Sequence, residues 1–535
     1  MEPGARNGAT RGLSGLLLSF AVLLACACSP LAGRAAAATA TAARPADSFV
    51  DSIGVNTHTA YDWTAYGSGF DLVKQRLSEL GVRHIREVLV ADDPDQYQRL
   101  NELAGMGIRS TLVLGDPANG SEGLSELVST VSSQLAGSVD ALEGPNEFDA
   151  RGGSGWAPQL AAYQQQLYSE VKANPALSSL PVVGPSILHR SSQEELGDIS
   201  GSLDYGNIHP YPFGEPPESN VDSQLARAAL NSGGKPVMAT ESGYNTALNS
   251  HEEHPPVSEE AMATYMPRLF LSYFERGIAR TFSYELVDEK PDPDLAEQEE
   301  HFGLLRNDFS EKPAFTAVRN LIAILEDPGP AFAPSPLSYS TKGDTTDLHQ
   351  VLLQKRDGSF YLALWRASSV WDVAGRAPVA ADTEPVELEL PTRTEKVDRY
   401  LPNRSANPVG SLRVKPGQPL RVGIGPEVTI LRVQLGTAPL RRIHVWVPRH
   451  AVPAGTRIAI RGRLRGPAAQ RPLRVVIQRW HRGWRTVGHS RTTRRGVFRK
   501  KIRIGAGQGP RAPRLRAVAP LAKPSRPVRL HIRRR

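Results

Sequence analysis

The sequence predicts an α/β protein in which a closed barrel of eight parallel strands precedes two small all-β domains. Two observations support this. Eight short apolar runs alternate with amphipathic segments between residues 50 and 325, and only strand-like runs follow a Pro-rich stretch at 328–337. The eight runs are continuously apolar, which is typical of parallel strands buried on both faces. Eight β–α units in roughly 280 residues fit one (β/α)8, or TIM, barrel.

The strands and helices of the predicted barrel alternate along the chain. The strand-like runs are Ser52–Asn56, His84–Val90, Ile108–Gly115, Val139–Glu147, Pro181–Ile187, Leu203–Pro212, Lys235–Tyr244 and Arg280–Asp288. Helical spacing is found at 70–80, 95–106, 121–136, 157–173, 218–232, 258–277 and 313–325, and more weakly around 191–201. An open doubly wound sheet is the alternative, but the first run ends in Gly-Val-Asn-Thr-His, which is not a Gly-rich phosphate turn.

The second half of the chain divides into two β-rich parts after the Pro-rich linker. We predict the barrel at 47–327, a β-sandwich at 338–437 and an Arg-rich, immunoglobulin-like sandwich at 441–535. Strands of the first sandwich are predicted at Leu348–Lys355, Phe360–Trp365, Val386–Leu390, Leu420–Ile424 and Val428–Leu435. Those of the second are predicted at Arg457–Leu464, Leu473–Trp480, Trp484–Gly488, Val497–Ile504 and Val528–Ile532.

Charge is distributed very unevenly along the chain. Residues 441–535 hold 28 of the 63 basic residues and none of the 55 acidic ones, so the first 440 residues carry a net charge of −20. So large an excess of one sign is more than a solvated surface needs. We expect residues 441–535 to bind an anionic cell-wall polymer or another polyanion. No specific nucleic-acid target is expected for an exported protein.

The first 43 residues have the order of an export signal. Arg6 and Arg11 precede an apolar stretch that ends at Cys28, and an Ala-rich segment follows. Two interpretations stay open: ordinary cleavage within 35–43, or lipidation of Cys26, which would be the one route to a membrane. The protein is expected to be secreted or held at the cell surface. Because Cys26 and Cys28 are the only cysteines, disulfide scaffolds, Cys-bound metals and cysteine nucleophiles are excluded from the rest of the chain.

Two carboxylates stand out at the predicted strand ends. The fourth run ends in Gly-Pro-Asn-Glu, with Glu147 last, and the seventh carries Glu241. Working residues of such barrels lie at the C-terminal ends of the strands. A facing pair of carboxyl groups is what cleavage of a glycosidic bond needs, one as acid and one as nucleophile or base. His58, Arg86, His209 and Tyr211 are predicted at the same rim.

These residues together resemble the retaining (β/α)8 glycoside hydrolases of clan A, over about residues 50–325. Gly54–His58 and Leu80–Arg86 are similar to family thirty-nine of that clan, which includes xylosidases and iduronidases. The resemblance implies that Glu147 is the general acid/base and Glu241 the nucleophile. It also implies a double-displacement mechanism on an oligo- or polysaccharide, with no cofactor or metal.

The same resemblance implies roles for the neighbouring side chains. Asn146 matches the residue that binds the sugar 2-hydroxyl, Tyr211 or His209 the one that orients the nucleophile, and Arg86 an arginine beside it. Many clan members have a tryptophan sugar platform after strand eight, where this chain has Tyr284. His58 and Trp156 are further candidates for substrate contact, with packing as the alternative for Trp156.

Two other classes of function remain open from the sequence. The barrel could be inactive, with the chain acting as a surface carbohydrate- or polyanion-binding protein. A metal-dependent hydrolase is less favoured, since only His58 and His209 are suitably placed histidines. His251 and His254 lack the spacing of a zinc-protease motif. The acidic segment 288–294 lacks EF-hand spacing and is predicted to be an exposed loop.

Overall fold

The computed structural model describes residues 40–535 apart from 416–417, 437–440, 449–450, 454, 466–472, 481–482, 494, 505–512, 520–521 and 534–535. The predicted export signal, with Cys26 and Cys28, therefore lies outside the described residues, except for its last four positions. Among the helices of the described part, none combines the length and apolarity needed to cross a bilayer.

Eight parallel strands form the barrel, and each lies inside one of the predicted runs. They are β1 (Ile53–Asn56), β2 (His84–Val88), β3 (Arg109–Val113), β4 (Val139–Glu143), β5 (Val182–Val183), β6 (Gly206–Ile208), β7 (Val237–Ser242) and β8 (Thr281–Ser283). Neighbours in sequence are neighbours in the sheet, and β8 pairs with β1. A single parallel bridge between Val183 and Tyr205 joins β5 to β6. The α/β barrel fold is thus confirmed.

A helix follows each strand of the barrel in the described chain, and the short helix Ala65–Ser68 lies between the first strand and its main helix. The main helices are α1 (Phe70–Leu80), α2 (Pro94–Gly105), α3 (Gly120–Thr130), α4 (Trp156–Ala173), α5 (Arg190–Leu196), α6 (Val221–Ser232), α7 (Glu259–Glu275) and α8 (Pro313–Leu325). The weakly patterned segment after β5 is the short α5. Helix α1 illustrates the local causes: Val73, Leu77 and Leu80 share a buried face, and Gly81 ends the helix in a left-handed conformation.

The first sandwich packs on the barrel. It includes strands that come before the barrel in the sequence as well as strands that come after it. Its sheets consist of Ser340–Lys342, Glu384–Glu389 and Leu420–Ile424, and of Arg44–Pro45, Leu348–Gln354, Phe360–Arg366, Thr394–Leu401, Ser405–Leu412 and Thr429–Leu435. Arg44–Pro45 runs parallel to Leu353–Gln354, and Ala40–Thr41 pairs with Leu337–Ser338. A strap from before the barrel, residues 40–45, therefore belongs to the sandwich.

Two tryptophans join the sandwich to the barrel. Trp365 is fully buried and donates from Nε1 to Glu218 Oε1 at 2.8 Å, while Arg268 pairs with the other oxygen of Glu218 at 2.6 Å. Trp371 is also buried and donates to the carbonyl of Pro256 at 3.0 Å. Both tryptophans are thus core residues.

The basic domain is a second sandwich with its own apolar core. One sheet contains Arg441–Trp446, Arg457–Arg465, Val497–Arg503 and Ala522–Lys523, and the other Arg474–Trp480, Trp484–Arg491, Arg514–Val518 and Val528–Arg529. Ala451–Pro453 pairs with His531–Arg533. Ile460, Phe498 and Ile477 are among the side chains buried between the two sheets. Four of the five predicted strands are present here, whereas the predicted Val528–Ile532 is divided into Val528–Arg529 and His531–Arg533, which belong to different sheets.

Candidate active site

The two predicted catalytic glutamates meet at the C-terminal end of the barrel. Glu241 is the fifth residue of β7, whereas Glu147 lies four residues beyond the end of β4. Its backbone is in the left-handed region, at φ 44°, and its amide donates to Ser186 Oγ at 3.0 Å. The fourth predicted run was therefore too long, and a turn rather than a strand presents Glu147.

Glu241 is held as an anion by three neighbours. Arg86 Nη1 donates to Glu241 Oε1 at 2.6 Å, and the Tyr211 hydroxyl donates to Oε2 at 2.8 Å. His209 Nδ1 is 3.5 Å from the same Oε2. Burial raises the pKa of Glu241, but His209, Arg86 and the Tyr211 hydrogen bond outweigh it and bring the pKa to about 2.

Arg86 is fixed by a second, deeper carboxylate that sequence reasoning missed. Its Nε and Nη2 donate to the two oxygens of Glu143 at 2.8 and 2.7 Å, and Glu143 is fully buried. Asn56 Oδ1 and Asn146 Oδ1 accept from the remaining guanidinium hydrogens at 3.1 and 2.7 Å. Such a bidentate pair fixes the orientation of the guanidinium. Arg86 therefore reaches Glu241 from a rigid position.

His209 lies between the two catalytic candidates. Its Nδ1 is 2.7 Å from Glu147 Oε1, and its Nε2 is 3.0 Å from Thr240 Oγ1. Burial lowers the pKa of His209, but the charges of Glu241 and Glu147 raise it more, so the net direction is upward. Thr240 in turn donates within the buried network of Glu143 and Asn207. The ring is thereby held between Glu147 and the barrel interior.

The separation of the two carboxylates indicates the kind of chemistry they can perform. One carboxylate oxygen of Glu147, one of Glu241 and a ring nitrogen of His209 lie within 4.8 Å of one another. Carboxyl groups about 5–5.5 Å apart leave no room for a water molecule between the second carboxylate and the sugar, whereas a separation of about 6.5–9.5 Å does. The nearest oxygens of Glu147 and Glu241 are thus closer together than the wider of these two ranges.

Aromatic side chains form one wall of the site. The ring of Tyr284 meets those of Tyr211 and His58 edge-on, with centroids 6.4 and 5.7 Å apart. Tyr61 stacks on His58 at 4.8 Å, and Trp63, 68% exposed, stacks on Tyr61 at 4.9 Å. Flat apolar faces of this kind suit contact with sugar rings. Tyr284 and His58 thus lie at the predicted rim.

Trp156 is the predicted site residue that the structure does not bring to the glutamates. It begins α4 and is 6% exposed, in an apolar cluster with Phe148, Leu160 and Leu203. The packing alternative describes its observed environment. Substrate contact by Trp156 stays a prediction, and the structure adds no support for it.

The segment after β8 is less exposed than predicted. Asp288 is buried and pairs with the buried Lys312 at 2.9 Å. Burial first, then nearby carboxylates, raises the pKa of Glu285 well above its ordinary value and that of Glu289 to about 7. Burial also lowers the pKa of His58 to about 4. The start of this loop therefore belongs to the wall of the site.

Two groups in the described chain have donor atoms close enough to share a cation: Glu147, His209 and Glu241, and His58, Glu285 and Glu289. In the first group the positive charge of Arg86 already pairs with Glu241, and the Tyr211 hydroxyl donates a hydrogen bond to it. Sequence reasoning found His58 but not Glu285 or Glu289, because nothing in their spacing marks them as partners of a residue more than two hundred positions earlier.

Comparison with known proteins yields structural likeness only. No protein-family model matches the chain, and curated proteins show no significant sequence match. A glucosidase from Croceicoccus marinus is 12% identical, with a TM-score of 0.44 over 68% of this chain and 92% of that one. A Parabacteroides merdae β-glucuronidase is 13% identical, with a TM-score of 0.37 over 90% of this chain and 61% of that one. Saccharomyces cerevisiae Gas2p, in complex with laminaritriose and laminaritetraose, is 14% identical, with a TM-score of 0.36 over 52% and 65%. Likenesses of this size do not assign an activity to this chain.

Proposed function

We propose that the protein is a retaining glycoside hydrolase that cleaves O-glycosidic bonds of an oligo- or polysaccharide. The observation that carries the proposal is the pairing of Glu147 with a Glu241 carboxylate kept ionised by Arg86, Tyr211 and His209. An ionised nucleophile opposite a second carboxyl group at short range is what double displacement requires. The resemblance to clan A, and to its family thirty-nine, agrees with this chemistry.

The first half of the proposed reaction forms a bond between enzyme and sugar. Glu241 attacks the anomeric carbon while the bond to the leaving oxygen breaks, and Glu147 donates its proton to that oxygen. Glu241 becomes a neutral ester. Asn146, whose Oδ1 is occupied by Arg86 and Ser186, keeps its amide hydrogens for the sugar 2-hydroxyl. The hydrogen bond from Arg86 Nε to Glu143 Oε2 holds the guanidinium in place during this step.

The second half reverses these roles. Glu147 takes a proton from water, the water oxygen attacks the anomeric carbon, and Glu241 leaves as a carboxylate. While the ester exists, Glu241 carries no negative charge, and Glu147 serves as the base. Arg86 and Tyr211 then stabilise the returning anion.

Sugar release from a panel tests the activity. Aryl β-glycosides, α-L-arabinofuranosides and whole polysaccharides are incubated with wild type, Glu147→Ala and Glu241→Ala, with folding checked by circular dichroism. We expect release by wild type and a loss of about 100- to 10,000-fold in both variants, the scale on which single catalytic groups act. A well-folded wild type that releases nothing from the whole panel contradicts the proposal and favours a binding protein.

Azide rescue separates the roles of the two glutamates. In Glu241→Ala, azide enters from the vacated side and yields a glycosyl azide of inverted anomeric configuration. In Glu147→Ala, azide replaces water on the ester and yields the retained configuration. Exchange of these two products would reverse our assignment, and retained activity in Glu241→Ala would exclude it as nucleophile.

We also propose that the basic domain holds the enzyme on an anionic polymer outside the cell. Across two paired strands, Arg457 lies opposite Arg503 and Arg461 opposite Arg499, and all four side chains are exposed. Like charges directly opposite destabilise a sheet, and a bound polyanion would relieve that repulsion. We expect Arg461→Ser with Arg499→Ser to elute earlier in salt from an immobilised teichoic acid than wild type. Equal elution contradicts this.

Export and anchoring need their own test. We propose that the chain leaves the cytoplasm through its first 43 residues, with lipidation at Cys26 or ordinary cleavage as the two routes. Cell fractions of the full chain and of Cys26→Ala distinguish them. Lipidation predicts that the variant moves from membrane to medium, whereas ordinary cleavage predicts the same fraction for both. Retention of wild type in the cytoplasm contradicts export.

A further inference from the structure

A second cluster of donor atoms lies beside the two catalytic candidates. His58, in the loop after β1, has its Nε2 3.4 Å from Glu285 Oε2 and 3.9 Å from Glu289 Oε1. Both glutamates follow β8, so the cluster joins two loops that neighbour each other only through barrel closure. Nothing in the proposed hydrolysis uses these three side chains together.

The protein satisfies this cluster incompletely. Glu285 is fully buried; its Oε2 accepts from the Tyr66 hydroxyl at 2.8 Å, but its Oε1 is buried without a hydrogen-bond partner in the described chain. His58 Nε2 is likewise buried and makes no hydrogen bond. The carboxylate of Glu289, 13% exposed, lies 3.9 Å from His58 Nε2 and within 4.8 Å of a Glu285 oxygen. A carboxylate buried with so few donors is stable in its ionised form only when a cation pairs with it.

We propose that His58, Glu285 and Glu289 bind one divalent first-row metal ion, of the Zn²⁺ or Mn²⁺ class. Imidazole nitrogens and carboxylate oxygens are both ligands that such ions take in proteins. The site is distinct from the Glu147–Glu241 pair and does not depend on the proposed hydrolysis.

The distances favour a metal ion over an organic ammonium group. Two ligand atoms about 2.1 Å from one ion, at the tetrahedral angle, lie about 3.4 Å apart. This equals the His58–Glu285 separation, and the 3.9 Å to Glu289 needs only a wider angle. An ammonium group with hydrogen bonds of about 2.8 Å would hold its acceptors about 4.6 Å apart. The His58–Glu285 pair is too close for that.

The ion would position the aromatic wall. The ring of Tyr61 stacks on that of His58, and the exposed Trp63 stacks on Tyr61. Fixing His58 to the loop after β8 therefore fixes this stack relative to Tyr284, whose ring meets His58 edge-on. The metal is thereby assigned a structural role in the sugar-facing wall and takes no part in bond cleavage.

The test measures metal binding by the full-length chain, independently of activity. Protein stripped with a chelator is titrated calorimetrically with ZnCl2 and MnCl2, and its melting temperature is recorded with and without each ion. His58→Ala and Glu289→Gln are compared with His251→Ala and Glu253→Gln, which alter exposed residues of a neighbouring loop. Glu289→Gln keeps size and polarity, so it tests the ligand even if His58→Ala folds poorly.

We expect one site in wild type and in both controls, with a higher melting temperature on adding at least one of the ions. Affinity at that site should fall more than about tenfold in Glu289→Gln and further in His58→Ala, since even indirect support of a metal ligand is worth that much. Equal binding in all variants, or no binding in wild type, overturns the proposal. A rise in melting temperature with glucosamine but with neither ion also overturns it and assigns the cluster to a cationic sugar.

Discussion

Replacing Tyr211 by phenylalanine isolates one hydrogen bond to the proposed nucleophile. The hydroxyl donates to Glu241 Oε2 at 2.8 Å, while the ring packs edge-on against His254 and Phe302 at 4.7 and 5.8 Å. Tyr211→Phe keeps those ring contacts. The change therefore removes a donor from the anion and leaves the wall of the site in place.

The size of the effect follows from the charge on Glu241. A hydrogen bond to a charged group contributes about 1.5–3 kcal/mol, and one pKa unit corresponds to about 1.4 kcal/mol. Loss of the donor should thus raise the pKa of Glu241 from about 2 to about 3–4. Because the ionised form is the nucleophile, activity at low pH should fall most.

The assay is the pH dependence of kcat/KM on a substrate found in the panel, between pH 3 and 8. Wild type should show almost no loss from Glu241 protonation down to pH 3, whereas Tyr211→Phe should show an acid limb with its midpoint between about 3 and 4. Tyr168→Phe is the matched control, since this tyrosine belongs to α4 and its hydroxyl donates to Asp204 Oδ1 at 3.5 Å. Superimposable profiles for Tyr211→Phe and wild type would refute the role of this hydrogen bond.

The remaining predictions concern stability. Arg86→Met leaves buried Glu143 and Glu241 without their cation, so we expect a loss of about 3–5 kcal/mol in urea unfolding; a loss below about 1 kcal/mol would argue against the network. Because the pKa of Glu241 is lowered to about 2 in the folded protein, its ionisation stabilises the fold by roughly 3 kcal/mol above pH 4.5. That part should disappear as the pH falls from 4.5 to 2, and Glu241→Gln should lack this dependence in urea unfolding at a series of pH values. Trp365→Phe removes the bond to Glu218 and should lower the unfolding free energy by about 1–3 kcal/mol with kcat unchanged; an unchanged free energy would mean that the bond is not a net contributor.

The barrel was predictable because its strands are buried on both faces. The strand Val237–Ser242 is buried at every position except the half-buried Glu241, and its apolar beginning, Val-Met-Ala, is visible without any tertiary information. The outer hairpin Thr394–Leu401 and Ser405–Leu412 was missed, because Ser405–Leu412 is mostly exposed and contains Pro408 and Gly410. Exposed edge strands have little apolar pattern to detect.

The catalytic candidates were predictable from position, but their supporting network was not. Glu147 and Glu241 were found because the fold dictates where strand ends meet. Glu143 is also a carboxylate near a strand end, and only its full burial beneath Arg86 distinguishes it. Likewise, Glu289 is a candidate ligand only because its Oε1 lies 3.9 Å from His58 Nε2. Such partners depend on distances between segments far apart in sequence, which residue spacing does not encode.

The strap at residues 40–45 has a consequence for how the molecule folds. It pairs with strands about 300 positions later, and the Arg44 guanidinium lies 3.2 Å above the Phe274 ring of α7. Closing so long a loop is slow and becomes favourable only after the barrel exists. The barrel and first sandwich should therefore melt together in one calorimetric transition. The basic domain, whose core is separate, is free to melt in a second.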